Sequence, residues 1–117
     1  MLEKFAPLFV DDTEVITHSL VQDVPLRSGK TLALITLDNH KDHTRPTTLG
    51  PLSLKELDEA LDALEERAKK GEIHGIAITG KPYFLAAGAD LSKIGAVKEK
   101  IIGRLYVELG HYVFAKL

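Results

Sequence analysis

A chain of 117 residues, 44% of them hydrophobic, with both charge signs mixed along its length, has the make-up of one small globular domain or part of one. A formal net charge of -2 excludes the basic footprint that a phosphate backbone requires, so nucleic acid is not an expected partner. The absence of cysteine excludes disulfides and thiolate chemistry, no apolar run is long enough to span a bilayer, and a cytoplasmic protein is the default expectation.

Residues Met1 to Thr13 show no clear periodicity, and Pro7 with Asp11-Asp12 predicts a loosely held arm. From Glu14 to Leu26 the apolar residues Val15, Ile16, Leu20, Val21 and Val24 sit among polar neighbours, as in a half-exposed strand. Arg27-Ser28-Gly29-Lys30 reads as a turn, and the nearly continuous apolar run Thr31 to Asp38 as a second hairpin strand buried on both faces. Asn39 to Leu52 is a polar loop, long for so small a domain, and long loops are often functional. His40, Asp42 and His43 invite a metal-site reading, but without a fourth ligand they read better as a solvated loop, and no metal is expected.

Ser53 and Glu56 have the spacing of a capping box. Behind them Leu54, Leu57, Leu61, Leu64 and Ala68 fall on one helical stripe, with Glu65/Lys69 and Glu66/Lys70 paired outside and Gly71 ending the helix. The acidic residues Asp58, Glu59, Asp62, Glu65 and Glu66 form its wet face on this reading. Ile73 to Thr79 follows as a strand parallel to Thr31–Asp38, with the helix as crossover. Ser92 to Gly95 reads as a short helical turn. Val97, Ile101, Leu105, Leu109, Val113 and Leu117 then recur every four residues, widened by Ile102 and Phe114, and predict a long amphipathic helix. Gly103 and Gly110 lower its intrinsic stability, so it depends on packing against something else.

The stretch Ile76 to Leu91 organises the rest. A buried strand runs into Gly80, Lys81-Pro82 opens a loop, and the small-residue turn Ala86-Ala87-Gly88-Ala89 is handed by Asp90 to a helix start. Backbone N–H groups near a helix start are oriented and partly unpaired, which suits a developing negative charge. Small side chains let a substrate oxygen approach the main chain. A plain strand-to-helix connection is the other reading of the same turn.

Four segments together resemble a known family: Thr31-Leu-Ala-Leu-Ile-Thr-Leu-Asp38, the helix Leu54-Lys-Glu-Leu-Asp-Glu-Ala-Leu61, the strand Ile76-Ala-Ile-Thr-Gly80 and Phe84-Leu-Ala-Ala-Gly-Ala-Asp-Leu91. They are similar, in order and in motif, to the N-terminal half of the crotonase (enoyl-CoA hydratase/isomerase) superfamily. The resemblance covers roughly Leu32 to Leu117. The hairpin entry and Thr79-Gly-Lys-Pro82 look more particularly like the hydratase part of bacterial multifunctional fatty-acid oxidation proteins. It implies an α/β fold, the N-terminal part of a crotonase-like ββα spiral core with hairpin, helix, parallel strand and C-terminal amphipathic helix. It also implies β-oxidation of fatty acids, a coenzyme A thioester as substrate with no separate cofactor, and a homo-oligomer (trimer or hexamer) or multienzyme complex.

The resemblance assigns roles by position. The Ala87 backbone N–H would be one oxyanion-hole donor, of a kind worth on the order of 3 kcal/mol. Ala86, Gly88, Ala89, Asp90 and Leu91 would line the groove for the bent CoA, and Arg45, with Lys41, would meet its phosphates. The sequence departs from the family in its first loop: Asn39-His40 follows Asp38, Arg45-Pro46 comes later, and Thr47-Thr48-Leu49 stands where an Asn-Ala-Leu-like segment is usual. The family's second donor and its water-adding glutamates have no counterpart in these residues. The chain is therefore expected to be a piece of a longer enzyme, cut after Leu117 and inactive alone. The alternative is a small stand-alone α/β interaction module that docks a partner on its apolar C-terminal helix.

Overall fold

The computed structural model describes residues 2–9, 14–41, 47–81, 85, 86, 88 and 100–117. Strand β1 (His18–Pro25) turns back at Leu26–Lys30 into β2 (Thr31–Asp38). Gly29 takes φ +85 in that turn, where its N–H reaches the Leu26 carbonyl at 3.0 Å. Helix α1 (Pro51–Lys69) then carries the chain over to β3 (Gly75–Gly80), and helix α2 (Lys100–Phe114) closes the described structure. The order is β1-β2-β3, with β1 antiparallel to β2 and β3 parallel to it, Ile35 standing opposite both Val21 and Ile78. The described residues form a small α/β fold with a three-strand mixed sheet, two α-helices and a short 3-10 helix.

One face of β2 carries the core. Ala33, Ile35 and Leu37 are buried together with Leu54, Leu57, Leu61 and Leu64 of α1 and Tyr106, Leu109 and Val113 of α2. Cutting any of these buried leucines to alanine removes about 2–5 kcal/mol. Burial of β2 on both faces does not hold, because the alternate residues Leu32, Leu34 and Thr36 are only half-buried. Of the N-terminal arm, the described residues 2–9 are not loose either. Glu3–Leu8 forms a 3-10 helix that buries Phe5 and Leu8, and the Phe5 ring lies 5.7 Å from that of Tyr112. Leu2 and Phe9 pack against the same core.

Helix α1 begins earlier than a Ser53–Glu56 box would place it. Gly50 is the N-cap and Pro51, whose fixed φ suits the first turn, leads. The cap is supplied from afar: the Glu14 carboxylate accepts from the Leu52 N–H (2.8 Å), the Ser53 N–H (2.9 Å) and the Ser53 hydroxyl (2.5 Å). Ser53 in turn accepts from the Thr17 N–H at 2.9 Å, while Glu56 pairs with His18 instead of capping. The other end follows expectation. Gly71 takes φ +76, its N–H bonds Ala68 and that of Glu72 bonds Arg67, the two bonds of a Schellman ending.

Asp58 does not belong to the wet face. It is 2% exposed and meets Lys116, whose ammonium also reaches Asp62 at 2.7 Å. Burial works against the Lys116 charge, but hydrogen bonds to Asp58 and Asp62 outweigh it and hold the ammonium's pKa above the ordinary lysine value. The stripe expected on α2 holds only in its middle, where Ile102 and Leu105 also pack on the core. Tyr106, Leu109 and Val113 face the core, whereas Ile101, Phe114 and Leu117 are exposed. A four-residue repeat gains roughly 40° per step on a helix of 3.6 residues per turn, so its ends drift off the buried face.

Candidate functional site

β2 and β3 run parallel, so their C-terminal ends lie side by side, the place where open α/β sheets commonly receive ligands. There the Lys81 ammonium bonds the Asn39 side-chain oxygen at 2.6 Å and the Lys41 carbonyl at 3.0 Å, pinning the exit of β3 to the exit of β2. Asn39 is buried beneath this clasp. His40 takes φ +59, its N–H bonds Asp38 at 2.8 Å, and its ring lies tilted by 42° against that of His18, with centroids 4.8 Å apart. The loop thus begins with a rigid corner rather than as free chain.

Of the residues singled out from sequence, Ala86 and Gly88 are described; Ala87, Ala89, Asp90, Leu91 and Arg45 lie outside the described residues, as do Asp42, His43 and the turn expected at Ser92 to Gly95. Gly88 takes φ +91, and among the described residues nothing stands within 4 Å of where a Cβ would sit. Glycine is therefore required here for its backbone conformation and not for space. The Gly88 carbonyl accepts the Leu49 N–H at 2.8 Å, which hangs the turn on the segment just before α1.

That segment is itself held on several sides. Thr17 donates its hydroxyl to the Thr48 carbonyl at 2.6 Å, and Tyr106 of α2 donates its hydroxyl to the Leu49 carbonyl at 2.7 Å in a buried setting. Beside it opens a cavity of about 920 Å³, lined by Leu49, Leu54, Gly88, Tyr106, Gly110 and Phe114 among others. Its walls are mostly apolar carbon, and the small residues Gly103 and Gly110 let it run along α2. Such a hollow accepts an apolar group and offers main-chain atoms at one end.

Sequence reasoning gave Leu49 and Lys81 no part in the site and passed over Tyr106. The signal for Tyr106 was present: a tyrosine inside an apolar helix stripe needs a partner for its hydroxyl. Its partner, 57 residues away, was not legible. Among the described residues no helix is long and apolar enough to cross a membrane.

No family model matches the chain, and no curated protein matches it. The structure of DspI from Pseudomonas aeruginosa is similar, with a TM-score of 0.62 and 24% sequence identity over 90% of this chain. The likeness at that identity concerns the fold, and the chain spans 38% of the length of DspI.

Proposed function

We propose that this chain is the acyl-CoA-binding part of an enoyl-CoA hydratase/isomerase of the crotonase superfamily, acting in fatty-acid β-oxidation. The turn Ala86–Asp90 receives the thioester, and the Ala87 N–H is one of the donors that stabilise the enolate-like anion. Ala89, Leu91 and Arg45 complete the CoA contacts on this reading. The spiral arrangement of the family belongs to the same proposal, as do cytoplasmic location and assembly into trimers, hexamers or a multienzyme complex.

One observation carries the reading: a glycine at φ +91, one residue after the proposed donor, lines an apolar cavity and is anchored from outside the turn. A simple connection between strand and helix has no need of such a hollow. Water adds across the C2–C3 double bond of the substrate, which needs acid/base groups that these residues do not supply, so the activity is proposed for the natural full-length polypeptide. Incubated with crotonyl-CoA, that polypeptide is expected to form 3-hydroxybutyryl-CoA. The absence of both turnover and CoA-thioester binding would overturn the proposal.

The exposed Ile101, Val107, Phe114 and Leu117 favour a second reading, a protein-interaction module that docks a partner on α2. A monodisperse chain with a cooperative melt and no affinity for CoA thioesters would favour it over the first.

A further inference from the structure

We infer that Tyr106 is a positioning residue for the thioester site, acting through Leu49 on the turn at Gly88. The inference rests on the acyl-CoA reading of that turn. Its physical basis is a relay of two hydrogen bonds through one residue. The Tyr106 hydroxyl donates to the Leu49 carbonyl at 2.7 Å, and the N–H of the same Leu49 donates to the Gly88 carbonyl at 2.8 Å. Tyr106 and Leu49 are both buried, and all three residues line the same cavity.

Both polar groups of Leu49 are therefore spoken for, and each bond fixes the other's direction. Thr17 secures the neighbouring Thr48 carbonyl at 2.6 Å, so the segment has little freedom to follow a displaced turn. Gly88, in contrast, meets no heavy atom of the described residues where a side chain would be, and its backbone conformation is one that glycine leaves easily. Among the described residues, the bond from Leu49 is what holds this carbonyl in place. Removing the tyrosine hydroxyl leaves the Leu49 carbonyl buried without its donor, and the segment must shift to find another. Gly88 moves with it, and with Gly88 the adjoining donor whose aim determines stabilisation of the anion. An oxyanion donor works only when it is already aimed at the developing charge, so a displacement well under an ångström weakens the reaction more than it weakens binding.

The test uses the natural full-length polypeptide and its Tyr106→Phe variant with crotonyl-CoA. Phenylalanine keeps the ring in the core and removes only the hydroxyl. The expected result is a kcat lowered by about tenfold or more, with KM within about twofold and a cooperative melt retained. A merely structural role would lower the melting temperature and leave kcat per folded molecule unchanged, and that result overturns the inference while the acyl-CoA reading stands. A wild type that neither hydrates crotonyl-CoA nor binds it overturns both. Should the variant fail to fold, amide exchange in the wild type decides. A Leu49 N–H protected well above open-loop rates is expected, and exchange at open-loop rates overturns the relay.

Discussion

Replacing Glu14 by alanine removes the cap of α1 in one step. Its carboxylate accepts from two backbone N–H groups and one hydroxyl, all at the first turn of a helix whose N-cap, Gly50, has no side chain to offer. Each buried N–H left without an acceptor costs about 1–3 kcal/mol, and the lost charge at the helix start adds about 0.3–1 kcal/mol. The sum is on the order of 3 kcal/mol, roughly a hundredfold in the folded-to-unfolded ratio. With a urea slope of about 1.5 kcal/mol/M, the unfolding midpoint falls by roughly 2 M.

The same geometry predicts a coupling that a simple cap would not show. A methyl group on Gly50 would sit 2.5 Å from the Glu14 Cδ, so Gly50→Ala must expel the carboxylate, although the Gly50 backbone (φ -84, ψ 179) suits alanine. Gly50→Ala is thus expected to cost about as much as Glu14→Ala alone, and close to nothing once Glu14 is already alanine. Urea denaturation of the four proteins measures the coupling, expected at roughly 2 kcal/mol or more. Additive costs, or a Glu14→Ala loss below about 1 kcal/mol, would refute the reasoning.

Two further changes probe the other fixed points. Gly88→Ala is expected to cost about 1–2 kcal/mol through backbone strain alone, and Gly88→Asn less, since asparagine tolerates positive φ better; thermal denaturation ranks the two. Equal costs would point to packing instead. Lys116→Met strands the buried Asp58 charge and is expected to cost on the order of 3 kcal/mol, part of which Asp58→Asn in the same background recovers. Because the folded pKa of Lys116 is raised, its contribution is complete below the ordinary value of 10.5 and is lost as pH rises through the higher folded value. The urea midpoints of wild type and Lys116→Met therefore differ at neutral pH and converge in strong alkali.

What the sequence made legible was local. Gly29 and Gly71 sit where a turn and a helix end need positive φ, and both do that work within a few residues of the chain. The stripe Leu54–Leu57–Leu61–Leu64 announced the buried face of α1 because its spacing is set by the helix itself. Asp58 shares that spacing, four residues after Leu54 and three before Leu61, so its burial was readable in principle. Its counter-ion at Lys116 was not, since that pairing depends on how α2 lies against α1. Glu14 escaped for the same reason: a capping box between Ser53 and Glu56 is a local device, and a carboxylate arriving from 39 residues upstream displaced it. The Gly88 turn was singled out for small side chains, whereas its attachment to Leu49 and Tyr106 arises only when three distant segments meet.

The account turns on whether a thioester oxygen comes to rest against the main chain beside Gly88. Amide resonances of the uniformly 15N-labelled full-length polypeptide, titrated separately with butyryl-CoA and with free CoA, address this residue by residue. The account predicts that the amides of Ala87 and Gly88 move with the thioester well beyond their response to free CoA. Unchanged amides at both positions at saturating thioester would contradict it.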